Sequence, residues 1–164
     1  MIKLREFEEK DTQRLVTYLN DLDVVKYLSS KIPLPYTKAD ADWWINEGSK
    51  QDFVRAITIN DELIGCIGVN RGEFEYNRSG EIGYWIGRDY WRQGFAHAAL
   101  LQMTEIVFST TNIVRIDASV FSDNRPSMNL LHKSGYQEEA ILKTAMYKHG
   151  KFFDKHIFSR LKPD

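Results

Sequence analysis

The sequence EIGYWIGRDYWRQGFAHAALL, residues 81–101, decides the fold of this chain. It predicts a strand, a short turn that contains Gly94, and then a helix with an apolar face. A glycine at the start of a helix lets the backbone approach a ligand closely, and the first N–H groups of a helix have no partner inside it. Such a turn suits an anion, most often a phosphate. We therefore predict a phosphate-binding site at the start of this helix.

Two common phosphate-binding patterns, G-x-x-x-x-G-K-[ST] and G-x-G-x-x-G, do not occur in the sequence. The segment instead resembles the pyrophosphate-binding pattern of the GNAT family of N-acetyltransferases, Gln/Arg-x-x-Gly-x-Gly/Ala. Gly94 and Ala96 match this pattern, whereas Trp91 stands where Gln or Arg is commonest. The run from Tyr90 to Ala96 is similar to the RimJ/RimL-type branch, which includes enzymes that acetylate ribosomal-protein N-termini and several small-molecule acetyltransferases.

A second segment, NRPSMNLLHKSGY at residues 124–136, resembles the later motif of the same family, Asn-x-x-Ser-x-x-Leu-x-x-Lys-x-Gly-Phe/Tyr. Asp123 or Asn124 is placed to cap a helix that Pro126 opens and Gly135 ends. The two motifs occur in the family's order with a β-rich stretch between them. The resemblance implies an α/β (α+β) GNAT acyl-CoA N-acyltransferase fold, with a mixed sheet of about seven strands, splayed central parallel strands and about four helices.

The remaining sequence agrees with this fold over nearly the whole length, and we expect a single N-acetyltransferase domain over residues 1–164. The hydrophobic and turn patterns predict a series of further elements. These are a strand at 2–7, a hairpin of 53–59 with 63–69, a polar loop at 70–79, and a closing hairpin that turns at His149–Gly150. Helical sequence at 8–28, divided near 21–23, has Leu15, Leu19 and Leu22 spaced for one face. A further helix runs from Thr37 to about Gly48, and Thr37 and Asp40 are placed like a capping-box pair at its start.

Composition excludes several other classes of protein. A net charge of −1 gives no sign of the basic surface that nucleic-acid binders carry. No apolar stretch is long enough to span a membrane, and the first residues lack the apolar run of a secretory signal. A single cysteine, Cys66, cannot form an internal disulfide. We expect a cytoplasmic protein on this basis.

The resemblance implies acetyl-CoA as co-substrate and no metal. The pantetheine arm would pair with the strand end at Ile86, Gly87 and Arg88 and would accept or donate a side-chain hydrogen bond at Asn124. The pyrophosphate would be held by the turn and the start of the helix. Arg92 could equally be a solvated surface residue, and Asn129 could simply lie on a helix surface. The residues implied in coenzyme binding are Ile86, Gly87, Arg88, Arg92, Gln93, Gly94, Phe95, Ala96, His97, Asn124 and Asn129.

The chemistry implied by the resemblance is direct attack of an amine on the thioester, with a strand amide near Ile86 polarising the carbonyl. Glu81 stands where many family members carry a base that acts directly or through water. It could also be a carboxylate that pairs with a neighbouring strand or faces solvent. Many members use a tyrosine as the acid, but the matching position here is Leu131. Ser127 stands where RimL-like enzymes have a serine proposed to protonate the thiolate, and its hydroxyl could equally bond the helix backbone or touch coenzyme A.

An acetyl-cysteine intermediate at Cys66 is the rival mechanism. This residue lies in the apolar, β-branched run LIGCIGV, residues 63–69, with no histidine nearby in sequence. A thiol buried in such a strand has a raised pKa and is unreactive. We therefore predict that Cys66 belongs to the core.

The acceptor is inferred from the branch alone: a protein N-terminal α-amine, with a polyamine or another small amine as the alternative. A module that senses acetyl-CoA without catalysis is the alternative from another class of protein. The acceptor pocket is expected from residues 28–36, 70–79 and 147–156, with Asp154 bracing the final hairpin. Homodimers are common in this branch, and nothing in the sequence decides the oligomeric state.

Overall fold

The computed structural model of the chain describes residues 1–51 and 53–164. Its strands are β1 (Lys3–Arg5), β2 (Val54–Ile59), β3 (Glu62–Arg71), β4 (Ser79–Ile86), β5 (Arg115–Phe121), β6 (Gln137–Lys148) and β7 (Lys151–Leu161). Its α-helices are α1 (Thr12–Leu19), α2 (Leu22–Val25), α3 (Lys38–Trp43), α4 (Phe95–Thr110) and α5 (Arg125–Lys133). Short 3₁₀ turns cover 9–11, 74–76 and 88–90, and a π-helical turn covers 44–48.

The strands form one mixed sheet of seven strands in the order β1-β2-β3-β4-β5-β7-β6. This confirms the predicted strand number. The chain divides into two units: a first unit of residues 1–68 with 84–99, and a second unit of residues 69–83 with 100–164. The elements β3, β4 and α4 each begin in one unit and end in the other.

In the first unit, β1, β2 and the beginning of β3 pair antiparallel, with Leu4 opposite Ile57 and Ala56 opposite Cys66. The β2–β3 turn uses positive φ at both Asn60 (50°) and Asp61 (64°), which is the type I′ geometry that matches the twist of a hairpin. The apolar core of this unit lies between the strands and the helices, and its buried members are Phe7, Leu15, Leu19, Tyr36, Ala41, Ile45, Val54, Ala56, Leu63 and Cys66.

The helical sequence at 8–28 is divided as predicted, and the division changes which side chains are buried. Asp21 caps α2 by accepting a hydrogen bond from the Asp23 N–H at 3.0 Å. Leu15 and Leu19 of α1 are buried, whereas Leu22 is 68% exposed, contrary to the single face that its spacing predicted. The periodicity fails at Leu22 because a new helix begins there, and the described residues contain five α-helices where about four were predicted.

The capping box predicted at the start of α3 is confirmed. The Thr37 N–H donates to Asp40 Oδ2 at 2.8 Å, and the Asp40 N–H donates to Thr37 Oγ1 at 3.2 Å. The helical path then continues through the π-helical turn to Gly48, where the sequence predicted its end.

In the second unit, β4 pairs with β5 in parallel through Ser79–Glu81 and Arg115–Asp117, at the beginning of both strands. The strand β7 lies antiparallel between β5 and β6. The β6–β7 hairpin turns as predicted at His149 (φ 55°) and Gly150 (φ 72°). The mixed pairing therefore places the parallel pair β4–β5 in the middle of the sheet order, as the sequence predicted.

The end of α5 is fixed by a Schellman motif, as the glycine predicted. Gly135 has a φ of 89°, its N–H donates to the His132 carbonyl at 3.1 Å, and the Tyr136 N–H donates to the Leu131 carbonyl at 2.9 Å. Tyr136 is fully buried, and its hydroxyl bonds Thr104 Oγ1 at 2.7 Å. This motif turns the chain from α5 directly into β6.

Gly65 of β3 is required by a close backbone approach. A Cβ added there would lie 2.3 Å from the Trp85 carbonyl oxygen and 2.9 Å from Ile86 Cδ1. We expect Gly65→Ala to lower the melting temperature by about 3–10 °C, because overpacking against backbone costs about 1–3 kcal/mol. Gly83→Ala in β4 is the matched control, since a Cβ there has no neighbour within 4 Å. Equal melting temperatures for the two variants, measured by circular dichroism, would contradict this reading.

Candidate active site

The end of β4 is held to β3 in the first unit. The Gly87 N–H donates to the Ile64 carbonyl at 2.7 Å. Because the N–H and C=O groups of successive strand residues point to opposite sides, the backbone groups of Ile86 point away from β3. The Ile86 carbonyl accepts a hydrogen bond from Trp91 Nε1 at 2.7 Å. The strand amide predicted to polarise a thioester therefore belongs to a residue with a fixed backbone direction.

The turn after β4 leads into α4 through two residues with positive φ. A 3₁₀ turn over 88–90 is closed by the Tyr90 N–H, which donates to the Gly87 carbonyl at 2.9 Å. Gln93 Nε2 donates to the Asp89 carbonyl at 3.0 Å. Arg92 has a φ of 60° and Gly94 a φ of 83°. The turn is thus held by side-chain bonds to its own backbone.

The start of α4 fits an anion. The Gly94 carbonyl accepts the first helical bond, from the Ala98 N–H at 3.0 Å, so Gly94 is the N-cap residue. The N–H groups of Phe95 and Ala96 then belong to the first turn, where an α-helix provides no acceptor for its amides. A Cβ added to Gly94 would have no neighbour within 4 Å, and residues 92–94 are exposed. A phosphate group can therefore reach the turn, where the helix dipole favours negative charge.

Gly87 and Arg88 make contacts within the first unit that the sequence did not predict. A Cβ on Gly87 would lie 2.6 Å from Cε1 of the Tyr18 ring, so this residue lets the ring pack on the strand end. Arg88 Nε lies 3.0 Å from Asp21 Oδ2, and its Nη1 lies 3.1 Å from Asp23 Oδ2. The Arg88 side chain therefore pairs with the carboxylates at the start of α2.

In the second unit, the later motif forms the start of α5. Asn124 is the cap residue of the two candidates, since its Oδ1 accepts the Ser127 N–H at 3.4 Å. Asp123 instead pairs with Lys151 at 2.9 Å. Ser127 is half-buried and Asn129 is exposed. Asn124 and Ser127 are thereby brought together at one helix end.

Glu81 lies on the exposed face of β4, whose alternate residues Gly80 and Ile82 are buried. Its Oε2 accepts a hydrogen bond from Ser119 Oγ at 3.4 Å. Asp117 is opposite Glu81 in the parallel register, so both side chains lie on the same face of the sheet. Burial raises the pKa of the Asp117 carboxyl, although Arg115 beside it acts in the opposite direction.

Sequence reasoning missed Asp117. The signal was weak, because Asp117 follows the polar–apolar alternation of the strand RIDASVF, residues 115–121, like any residue on the more exposed face. Asp117 becomes a candidate site residue only when its register with Glu81 is known. That register depends on the pairing of two strands that are far apart in sequence.

The two remaining mechanistic residues lie in the core. Burial raises the pKa of the Cys66 thiol to about 12, so the thiol stays protonated at neutral pH. The prediction that Cys66 is a core residue is confirmed. Leu131, at the position of the usual tyrosine acid, is fully buried. Neither residue offers an acid or a nucleophile.

The closing hairpin is braced by Asp154 as predicted. Asp154 Oδ1 accepts the Thr144 N–H at 2.9 Å, and Lys143 Nζ lies 3.3 Å from Oδ2. The Thr144 bond lowers the pKa of the Asp154 carboxyl, which therefore stays ionised at neutral pH.

Residues 1–51 and 53–164 contain neither a candidate metal-binding cluster nor a candidate membrane-spanning helix. Within these ranges, no group of three or more His, Cys, Asp or Glu side chains has an arrangement that could hold a metal ion. No helix in the same part of the chain combines the length and apolar character needed to cross a membrane.

Comparisons with known proteins agree with this architecture. Residues 2–137 match the family model described as acetyltransferase (GNAT) domain. The chain is 34% identical over 169 residues to an uncharacterized N-acetyltransferase, p20, of Bacillus licheniformis, covering 98% of this chain and 93% of that protein.

Two solved structures share the fold. RimL, a ribosomal L7/L12 alpha-N-protein acetyltransferase in complex with coenzyme A, matches with a TM-score of 0.84 at 18% identity, over 98% of this chain and 94% of that one. Spermidine N-acetyltransferase from Vibrio cholerae, in complex with CoA and spermine, matches with a TM-score of 0.81 at 20% identity, over 98% and 95%.

The seven-stranded mixed sheet and the turn that leads from β4 into α4 agree with the fold of the matched family. The chain belongs to the GNAT acetyltransferase family, and it is an N-acetyltransferase. Enzymes of this family take the acetyl group from acetyl-CoA and transfer it to an amine.

Proposed function

We propose that this enzyme transfers the acetyl group of acetyl-CoA to the α-amine of a protein N-terminus. The observation that supports the donor side is the start of α4: Gly94 is exposed, has open space where a Cβ would lie, and directly precedes the first-turn amides. The protein acceptor is supported by the RimJ/RimL-type run from Tyr90 to Ala96 and by the fold likeness to RimL. The family match at 2–137 includes sequence from both units, which supports a single domain over residues 1–164.

The donor is held by backbone groups in this proposal. The amides of residues 92–97 bind the pyrophosphate, and Arg92 adds a charge-assisted bond from its exposed side chain. The Ile86 backbone, directed away from β3, pairs with the pantetheine arm and polarises the thioester carbonyl. Gly87 and Arg88 contribute by fixing the strand end, through the Ile64 bond and the Asp21 pair. Asn124 and Asn129 are the proposed side-chain contacts of the second unit.

The reaction requires a neutral amine and a proton for the departing thiolate. Glu81, an exposed carboxylate, accepts the proton of the attacking ammonium directly or through water. The amine nitrogen then bonds to the thioester carbon, and the carbon–sulfur bond breaks. Ser127 gives its hydroxyl proton to the thiolate and regains one from the amide nitrogen through solvent. The products are the N-acetyl amide and coenzyme A.

A polyamine acceptor is the second candidate, and the face that carries Glu81 favours it. Glu81 and Asp117 are neighbours on that face, and Glu139 bonds Arg115 Nη1 at 2.5 Å. Adjacent carboxylates attract an acceptor with several ammonium groups. Arg115 offsets part of this charge, since its Nε also lies 3.4 Å from Asp117 Oδ2.

An acceptor panel tests the proposed function. Release of free thiol from acetyl-CoA is measured with ribosomal-protein N-terminal peptides, spermidine and spermine, and with N-acetylated peptides as the control. We expect kcat/KM for the best free peptide to exceed that for spermidine at least about tenfold, equivalent to about 1.4 kcal/mol. Faster turnover of spermidine would replace the protein acceptor with the polyamine. Coenzyme binding without transfer to any amine would favour the acetyl-CoA sensor.

Ser127→Ala separates acid catalysis from coenzyme binding. We expect kcat to fall by about 10²-fold or more, because general acid catalysis contributes at least that much. The Kd for acetyl-CoA should change less than about threefold, since the backbone N–H that bonds Asn124 is retained. Ser109→Ala, at an exposed position near the end of α4, is the control. Equal losses in kcat and in coenzyme affinity would make Ser127 a binding residue.

A further inference from the structure

We infer that Trp91 is a positioning residue, which holds the coenzyme-binding turn in its binding conformation before the coenzyme arrives. This role rests on the proposed function, because it concerns the same turn at residues 91–94. The contact that carries it is the hydrogen bond from Trp91 Nε1 to the Ile86 carbonyl, at 2.7 Å.

The Ile86 carbonyl, which accepts this bond, belongs to a strand end that is held to the sheet in the first unit. Ile86 is the last residue of β4 and is buried. The next residue, Gly87, donates its N–H to the Ile64 carbonyl of β3 at 2.7 Å. A side chain that bonds the Ile86 carbonyl is therefore tied to the sheet, and it ties the turn that follows to the sheet as well.

The turn needs such an anchor because its backbone is unfavourable by itself. Arg92 holds a φ of 60° although it has a side chain, and this region is disfavoured for residues other than glycine. A free turn would relax Arg92 towards negative φ and redirect the amides beside it. Trp91 directly precedes Arg92, so its bond to Ile86 opposes this relaxation from one side, and the Gln93 bond to the Asp89 carbonyl opposes it from the other.

Burial of the indole ring does not account for the position of Trp91. The residue is 41% exposed, so a large part of its apolar surface stays in water. A core tryptophan would be covered far more completely. The indole N–H, which reaches back over five residues to the strand end, is the specific contribution of this side chain.

Trp91→Phe keeps an aromatic ring and removes the N–H donor. In the free protein, we expect the amide hydrogens of Tyr90 and Ala98 to exchange about three- to tenfold faster, because the Tyr90 bond closes the 3₁₀ turn just before Trp91 and the Ala98 bond is the first of α4, just after Gly94. The Kd for acetyl-CoA should rise about three- to tenfold, the range expected for one hydrogen bond. The value of kcat at saturating coenzyme should change less than about twofold, and the melting temperature should fall by no more than about 5 °C, the equivalent of one hydrogen bond.

Trp43→Phe is the matched control, because Trp43 is also an exposed tryptophan of the first unit and lies on α3. It should leave amide exchange in the turn and the Kd unchanged. Unchanged exchange and unchanged Kd in Trp91→Phe would overturn the inference while the proposed function stands. A fall in kcat without a change in Kd, or a fall in melting temperature of more than about 10 °C, would also overturn it. A wild-type protein that fails to bind acetyl-CoA would remove the proposed function and, with it, the role of Trp91 in binding.

Discussion

The hydrogen bond between the Gly87 N–H and the Ile64 carbonyl, at 2.7 Å, is the contact on which the turn at residues 91–94 depends. It fixes where β4 ends and which way the Ile86 backbone points. Two glycines permit it: Gly65 leaves room for the Trp85 carbonyl, and Gly87 leaves room for the Tyr18 ring. The strand end therefore occupies one position, and the Trp91 bond and the N-cap at Gly94 follow from it.

In the second unit, hydrogen bonds at both ends of α5 fix the position of this helix. Asn124 sets the beginning of α5 and places Ser127 in the first turn. The Schellman motif at Gly135 sets its end and buries Tyr136. Because both ends are fixed by hydrogen bonds, α5 has little freedom to move along its axis. A serine in its first turn therefore has a defined position, which the proposed acid needs.

Local signals were read correctly from the sequence, and contacts between distant segments were not. Gly94, Gly135 and the Asn60–Asp61 turn were predictable, since each depends on a backbone conformation that few residue types adopt. The exposure of Leu22 was not predictable. It results from the break between α1 and α2, and the direction that α2 takes after this break depends on tertiary packing. The pair of Arg88 with Asp21 and the neighbourhood of Asp117 and Glu81 depend on packing and strand register, which no local pattern contains.

Titration calorimetry with acetyl-CoA tests the central claim most directly, with wild type compared against Gly94→Glu, and with ATP and 3′-dephospho-acetyl-CoA as competing ligands. We predict micromolar binding of acetyl-CoA by wild type, selective over ATP, and no measurable binding by Gly94→Glu, because the carboxylate would occupy the open space in front of the first-turn amides. Both proteins should remain folded by circular dichroism. Equal affinity in the two proteins would contradict the assignment of this turn, and a wild type that binds no acetyl-CoA would contradict the account as a whole.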